Sequence, residues 1–313
     1  MMILEPEIVV VGSHAPGLFL RVKRPPIAGE TVIGWDYSEP VDGGKGSNQA
    51  IAAARLGARV SFVGCLGNDR LGNQGRAWME QAGVDTRFIR HSSSATGVSF
   101  ILLDAQGVPA MVTCLGANDE LTLEEVQTAL YQLNGKILLT QFEIQLKVAI
   151  ETARLAHKKG MLVIINPAPA AEMPLEDLKV ADILVPNESE ARQLLGLPAA
   201  EVMDDIDLAN QLRSRTGAGS IVITLGGRGF VGSDFQGNWS SDAPVVQVAD
   251  TSGAGDTFCA ALACGLARGR DLRDASTWAC RVAALSVTRP GTIPAFPTLA
   301  EVEAFSLSLT AEN

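Results

Sequence analysis

Short apolar runs alternate with amphipathic stretches along most of the chain. Runs rich in Val, Ile and Leu predict buried strands at residues 8–11, 60–63, 137–140, 162–165, 183–185 and 221–224. Helical spacing predicts helices at 47–56, 71–82 and 145–159, each followed by the glycine that favours a helix end. Continuous apolar strands that alternate with helices are typical of a parallel sheet, so the pattern predicts an α/β fold.

Two segments break this rhythm, at residues of about 18–41 and 97–115. They contain alternating apolar and polar positions, and residues 104–107 are suited to a hairpin turn. We interpret them as a small β-sheet that projects from a single domain formed by residues 1–313. So small a sheet cannot bury both of its faces alone. It should therefore cover a substrate cleft, a partner subunit, or both.

Composition narrows the class of protein further. The 313 residues are 47% hydrophobic and 19% charged, which is typical of a globular protein. The formal net charge of -10 opposes binding to nucleic acid or to an anionic membrane surface. No apolar stretch is long enough for a membrane span, and the first residues lack the basic start of a signal peptide. Five scattered cysteines without metal-site spacing indicate free thiols and a cytoplasmic location.

The strongest chemical signal is the segment DTSGAGDTF at residues 250–258. It follows a predicted strand at 245–248 and opens an apolar helix. Small residues at a helix start let backbone N–H groups approach an anion, and the helix dipole favours negative charge there. Asp256 would lie beside a bound phosphate, where its carboxylate can accept a proton from an attacking hydroxyl. The alternative is a tight turn in which Asp256 only complements the helix dipole.

A second glycine-rich helix start lies about two hundred residues upstream, in GGKGSNQA at 43–50. Two such helix starts imply two polar ligands or the two ends of one reaction. The segment is not a Walker A loop, because its Lys is followed by Gly instead of Ser or Thr. Residues 10–17 likewise lack the spacing of a dinucleotide-binding fingerprint.

Taken together, these motifs resemble the PfkB, or ribokinase, family of carbohydrate kinases. The resemblance extends over nearly the whole chain, through VVGS at 10–13, GET at 29–31, GGKGSNQA, NESE at 187–190 and DTSGAGDTF. GAN at 116–118, NPAPA at 166–170 and TLGGRG at 224–229 are most similar to ribokinases. The resemblance implies an ATP-dependent sugar kinase with a three-layer α/β/α sandwich, a mainly parallel sheet, a small β-sheet lid and a homodimer formed through the lids.

The resemblance also implies roles for individual residues. Asp256 would be the catalytic base, and the anion hole would consist of Gly253, Ala254 and Gly255. The sugar would be bound by Gly43, Gly44, Lys45, Asn48, Glu143 and Asp256. The nucleotide would be bound by Asn187, Thr224, Leu225, Gly226, Gly227, Arg228, Gly229, Gly255 and Cys280. Glu190 would organise Mg²⁺ through water, and K⁺ would be bound by the backbone carbonyls of Asp250, Ser252, Ser286, Arg289 and Gly291.

Several of these residues also have a purely structural interpretation. Glu190 could serve as a dipole partner at a helix start, capped by Asn187 or Ser189. Lys45 could be an exposed loop charge, and Cys280 could be packing in an Ala-rich helix. Thr224 and Gly226 could simply form a strand end and a turn.

The chain departs from ribokinases just after the first strand. An Asn and an Asp that bind sugar hydroxyls in ribokinases are replaced here by Ala15 and Gly17. Losing two hydrogen-bonding groups predicts that ribose is a poor substrate. His14 could partly replace them or be a buried structural residue. The basic stretch at residues 21–24 could meet an anionic substrate or be a solvated lid edge.

Two other functions fit the same fold. A nucleoside kinase would need a pocket that stacks a base, and an aromatic content of 5% supplies few candidates in the lid. A non-catalytic sugar-binding regulator would not need a base beside a phosphate site, so the presence of Asp256 favours an enzyme.

Overall fold

The structure is a computed structural model that describes residues 5–38, 43–106, 109–198 and 201–311. Its strands are β1 Ile8–Val11, β2 Gly17–Val22, β3 Gly34–Ser38, β4 Val60–Gly67, β5 Asp85–Ser92, β6 Thr96–Leu103, β7 Pro109–Gly116, β8 Ile137–Gln141, β9 Leu162–Asn166, β10 Ile183–Leu184, β11 Ser220–Thr224, β12 Phe230–Asp234 and β13 Gly237–Ser241. Its α-helices are α1 Lys45–Arg55, α2 Arg70–Gln81, α3 Leu123–Gln132, α4 Leu146–Lys158, α5 Glu188–Leu195, α6 Asp205–Thr216, α7 Ala254–Ala267, α8 Leu272–Ser286 and α9 Leu299–Ala311.

A nine-stranded sheet forms the centre of the fold, in the order β13-β12-β11-β10-β9-β8-β1-β4-β5. The strands from β11 to β5 run parallel, and β12 pairs antiparallel with both β11 and β13. One core packs α1, α2, α7, α8 and α9 against one face of the sheet, and a second core packs α3, α4, α5 and α6 against the other. The predicted α/β/α sandwich with a mainly parallel sheet is confirmed.

Burial explains why the sequence pattern identifies these elements. All four residues of β1 are buried, because helices cover both faces of the central strands. Helix α7 is buried along most of its length, from Asp256 to Gly265, and its residues are accordingly small or apolar. The carboxyl ends of the parallel strands meet at one edge of the sheet, which is where α/β proteins usually bind ligands.

A second sheet of four strands has the order β3-β2-β6-β7. Strands β2 and β6 are parallel, and the two outer pairs are antiparallel. These strands fall in the two segments in which a small sheet was expected. Residues 39–41 and 107–108 of those segments, including part of the expected hairpin turn, lie outside the described residues.

The predicted strand at 245–248 is wrong. Residues 242–248 form an exposed loop, in which Val245 is 99% and Val248 57% exposed. The preceding strand, β13, is already the outermost strand of the sheet, and residues 242–248 pair with no strand in the described part of the chain. The sequence pattern also failed to indicate β5, α3, α6, β12 and β13. No helix within the described residues has the length and apolarity needed to cross a membrane.

Candidate active site

The start of helix α7 forms the floor of the candidate site. Gly253 is its N-cap, with a φ of 71° that favours glycine, and a Cβ at Gly255 would meet open space. The first N–H groups of a helix have no partner within the helix and can face an anion. The Ala254 N–H donates to the Thr251 carbonyl over 3.3 Å, so this donor already has a partner. The geometry therefore fits an anion site centred on the Gly253 and Gly255 amides.

Asp256 lies in the first turn of α7 and is only 8% exposed. Its Oδ2 accepts a hydrogen bond from Asn48 Nδ2 over 2.9 Å, and its Oδ1 accepts one from Gln49 Nε2 over 3.0 Å. Burial raises the pKa of Asp256 above its usual range, and the Lys45 ammonium and the two amides offset this only in part. A carboxyl with a raised pKa at the edge of a cavity is suited to proton transfer.

The second glycine-rich segment lies opposite α7. Gly43 and Gly44 have φ values of 141° and 84°, and a Cβ at Gly44 would lie 2.4 Å from the Ala15 nitrogen. Only glycine permits this close approach to the connection between β1 and β2. The segment delivers Lys45, whose backbone N–H donates to Glu143 Oε2 over 2.8 Å. Ser13 Oγ donates to the same Glu143 oxygen over 2.6 Å.

Three carboxyl groups influence the Lys45 ammonium electrostatically. Burial lowers the pKa of Lys45, but Asp256, Glu143 and Glu190 together outweigh burial and raise it. The ammonium therefore stays protonated at neutral pH, and Lys45 is not an exposed loop charge.

Two cavities meet at the start of α7. A polar cavity of about 180 Å³ contains Lys45, Glu190 and Asp256, and an apolar cavity of about 510 Å³ lies beside it. Both cavities are lined by Asn187, Thr224, Thr251, Ala254 and Gly255. The larger cavity is lined further by Gly226, Gly227, Gly229, Ala243, Pro244, Val245, Val246, Val248, Phe258, Cys280, Ala283, Ala284 and Val287. Its volume and mostly apolar lining suit a small ligand, and it opens beside the smaller, polar cavity.

Glu190 has both a structural and a cavity-facing position. Its Oε2 accepts a hydrogen bond from the Asn187 N–H over 2.8 Å, and Asn187 Oδ1 accepts one from the Glu190 N–H in return. This capping box begins α5. Burial raises the pKa of Glu190, although the Asn187 N–H and Lys45 lower it.

Comparison with known proteins identifies the family. Residues 7–299 match the pfkB family carbohydrate kinase pattern. The chain belongs to the pfkB family of carbohydrate kinases. This kinase is 35% identical to the ribokinase of Haemophilus influenzae over 300 residues, which cover 95% of this chain and 97% of the relative. It is 36% identical to the ribokinase of Bacillus subtilis over 301 residues, which cover 95% and 98%.

A solved structure supports the same conclusion. The ribokinase of Arabidopsis thaliana, complexed with ribose and ATP, superimposes on this carbohydrate kinase with a TM-score of 0.84 at 29% identity. The match covers 96% of this chain and 99% of that one. The resemblance drawn from the motifs is thus confirmed, and the protein is a phosphotransferase that acts on a sugar hydroxyl.

Some residues that were expected to bind substrate or nucleotide do not line either cavity. His14 is buried between α1 and α2. Its Nδ1 lies 3.0 Å from Ser47 Oγ on α1, and its ring packs edge-on against Trp78 on α2. Burial lowers the pKa of His14 to about 4, so the ring is neutral at physiological pH. Leu225 packs against the core, and Arg228 forms ion pairs with Glu188 and Asp205.

Arginines of the basic stretch at residues 21–24 form ion pairs within the small sheet and its connecting loop. Arg24 forms a two-pronged ion pair with Glu30, at 2.6 and 2.8 Å. Arg21 lies 3.5 Å from Asp36. These partners fit the interpretation of this stretch as a solvated edge.

The segments expected to bind a monovalent cation lie side by side in the kinase. The Asp250 carboxylate accepts hydrogen bonds from the Ser252 and Gly291 N–H groups, each over 2.9 Å. Burial raises the pKa of Asp250, but these two donors outweigh it and lower the pKa. The Ser286 carbonyl accepts a hydrogen bond from the Arg289 N–H over 3.4 Å, and the Arg289 side chain pairs with Glu301.

Some residues of the kinase site escaped the sequence analysis. The loop from Ala243 to Val248 forms a wall of the larger cavity, where a strand was expected. Gln49 is buried behind Asp256, and Asn166, which accepts a hydrogen bond from Gln49, lines the smaller cavity. Gln49 is part of the GGKGSNQA segment, and Asn166 begins NPAPA, so the motifs contained them but did not show their partners.

Proposed function

We propose that this carbohydrate kinase transfers the γ-phosphate of ATP to a hydroxyl of a small sugar, with Asp256 as the general base. The observation that carries the proposal is the position of Asp256, buried at the start of α7 where the two cavities meet. A nucleotide in the larger cavity would present its terminal phosphate to the α7 amides. The sugar would approach Asp256 from the side of Gly44 and Lys45.

The residues around Asp256 would stabilise the transfer electrostatically. The amides of Gly253, Ala254 and Gly255 would bind the transferred phosphoryl oxygens, once the Ala254 N–H leaves the Thr251 carbonyl. The Lys45 ammonium would balance negative charge that develops there. Asp256 would accept the hydroxyl proton as the phosphate is transferred.

Magnesium fits the site as a partner of the nucleotide. Mg²⁺ in such enzymes keeps several waters and takes few protein ligands besides phosphate oxygens. Only one Glu190 oxygen is used by the capping box, so the other can accept a hydrogen bond from a water on the ion. Bound Mg²⁺ would neutralise phosphate charge.

The sugar would be held by Gly43, Gly44, Lys45, Asn48 and Glu143. Asn48 Oδ1 is buried and has no hydrogen-bond partner among the described residues, which suits an acceptor for a sugar hydroxyl. The other oxygen of the Glu143 carboxylate, Oε1, would accept a hydrogen bond from a second sugar hydroxyl. Nucleotide contacts would come from Asn187, Thr224, the backbone of residues 226–229 and Cys280.

We propose K⁺ as an activating ion, bound by carbonyls of the adjacent segments around Asp250 and Gly291.

The small sheet would act as a lid over the sugar and join two subunits into a homodimer. The five free thiols suit the reducing cytoplasm.

Release of ADP in a coupled assay tests the function. A panel of C4–C6 sugars and nucleosides would be offered with ATP and Mg²⁺, in Tris buffer with and without K⁺. Turnover of sugars, faster with K⁺, is expected. Preference for nucleosides would favour a nucleoside kinase, and sugar binding without turnover would favour a regulator.

A further inference from the structure

Both oxygens of the Asp256 carboxylate accept hydrogen bonds from neighbouring residues of α1. Asn48 Nδ2 and Gln49 Nε2 donate to different oxygens, over 2.9 and 3.0 Å. The two residues differ in solvent exposure: Asn48 is 5% exposed, whereas Gln49 is fully buried. Gln49 therefore cannot touch sugar or nucleotide and can act on the reaction only through Asp256.

The Gln49 amide is fixed from two sides. Its Oε1 accepts a hydrogen bond from Gln141 Nε2 over 2.5 Å, and its Nε2 also donates to Asn166 Oδ1 over 3.2 Å. Asn166 is oriented in turn, because its Nδ2 donates to the Val185 carbonyl over 2.8 Å. A rotated Gln49 amide would place its oxygen against the oxygens of Asp256 and Asn166. The network therefore specifies that the N–H groups point at the carboxylate.

The network is built into the sheet. Gln141 ends β8 and pairs with Asn166 at the end of β9. Gln141 is fully buried, whereas Asn166 is 8% exposed and lines the polar cavity, so the support extends from the sheet to the cavity wall. Rigid strands thus hold the amide that holds the carboxylate.

The charges around Asp256 make such support necessary. The titratable groups that face it are Lys45 on α1, Glu143 after β8, Glu190 on α5 and Cys259 on α7. One ammonium therefore faces three carboxyl groups in a buried space. Hydrogen bonds donated to a carboxylate favour its ionised form, which is the form that can accept a proton.

We propose that Gln49, oriented by Gln141 and Asn166, is a positioning residue that aims the Asp256 carboxylate and keeps it ionised. The proposal rests on the role of Asp256 as the base. Gln49 supplies the donor, and Gln141 and Asn166 prevent its amide from turning.

The test is Gln49→Met, which keeps the length of the side chain and removes the amide. The pKa of Asp256 would be measured by ¹³C NMR titration of carboxyl-labelled protein, with the signal assigned through Asp256→Asn. We expect it to rise by about one pH unit, the size of one lost charge-assisted hydrogen bond. The acidic limb of the kcat profile should move up equally, and kcat on the plateau should fall roughly tenfold to a hundredfold. KM for ATP should not change.

Gln74→Met is the matched control, because Gln74 is a half-buried residue of α2 outside the site. It should leave both the titration and the profile in place. If Gln49→Met fails to fold, Gln141→Met is the second variant, because it removes the hydrogen bond to Gln49 Oε1 without touching Asp256. It should raise the pKa of Asp256 by less than the change expected for Gln49→Met.

The NMR titration does not depend on turnover. A raised pKa in a protein that phosphorylates no sugar would support the positioning while refuting the base role. An unchanged pKa and an unmoved acidic limb, in a folded variant, would overturn the positioning role and leave Gln49 as a core residue.

Discussion

Asp256 is the residue whose substitution tests the proposed chemistry most directly. Asp256→Asn keeps the size of the side chain but cannot accept the proton, so kcat should fall by ~10²–10⁴-fold. Binding of ATP, measured by calorimetry, should change little because the nucleotide contacts remain. Asp85→Asn, on the distant edge strand β5, is the matched control. More than a tenth of the original turnover in Asp256→Asn would remove Asp256 from the role of base.

The replacements at Ala15 and Gly17 lead to a prediction about the preferred sugar. Two hydrogen bonds absent at Ala15 and Gly17 correspond to ~2–3 kcal/mol, or ~30–150-fold in affinity for ribose. Another C4–C6 sugar should therefore exceed ribose at least tenfold in kcat/KM. Steady-state rates on a sugar panel measure this. Ribose in first place, with a KM below about a millimolar, would show that the two replacements do not affect specificity.

Restoring the asparagine and the aspartate at positions 15 and 17 should favour ribose, but the structure leaves little space at Gly17. A Cβ at Gly17 would lie 2.9 Å from Phe19 Cε2 and 3.2 Å from Ile101 Cδ1. An aspartate there has no room unless the Phe19 ring moves. Ala15→Asn with Gly17→Asp should therefore gain ribose activity mainly when Phe19→Ala is added, and Phe19→Ala alone is the control.

At the scale of elements, the glycine-rich start of α1 should be intolerant of any side chain. Gly44→Ala would combine a φ of 84° with a Cβ 2.4 Å from backbone, and should lower the free energy of unfolding by roughly 2–6 kcal/mol. Gly83→Ala, with a φ of 86° and nothing within 4 Å, should cost only ~1–2 kcal/mol. Urea unfolding measures both. Equal losses would contradict the close approach to the β1–β2 connection.

The elements also show how far the sequence alone can lead. Central strands such as β1 are predictable because burial on both faces makes them continuously apolar. Residues 245–248 include three valines that line a cavity instead of joining a sheet, and composition cannot distinguish these two environments. The support of Asp256 was likewise hidden, since Gln49 and Gln141 are 92 positions apart and meet only in the folded chain.

At the scale of the whole molecule, the small sheet exposes large apolar side chains. Phe100 is 44% and Val112 65% exposed, and the two pair across β6 and β7. If this sheet joins two subunits, Phe100→Asp with Val112→Asp should yield a monomer in sedimentation at micromolar concentration, because buried charges oppose association. Val202→Asp, at a site 98% exposed, should not change the mass. An unchanged dimer in the double variant would place the interface elsewhere.

The lining of the larger cavity has a consequence for competition between phosphate donors. Its polar side chains, Asn187, Thr224 and Thr251, also line the smaller cavity beside Asp256, which leaves the rest of its lining mostly apolar. Such walls recognise a flat ring by shape and discriminate weakly between rings that differ in polar substituents. GTP should therefore replace ATP with a loss in kcat/KM of less than about a hundredfold. In a mixture, each donor would then be consumed in proportion to its concentration multiplied by its kcat/KM. No detectable turnover with GTP would contradict this weak discrimination.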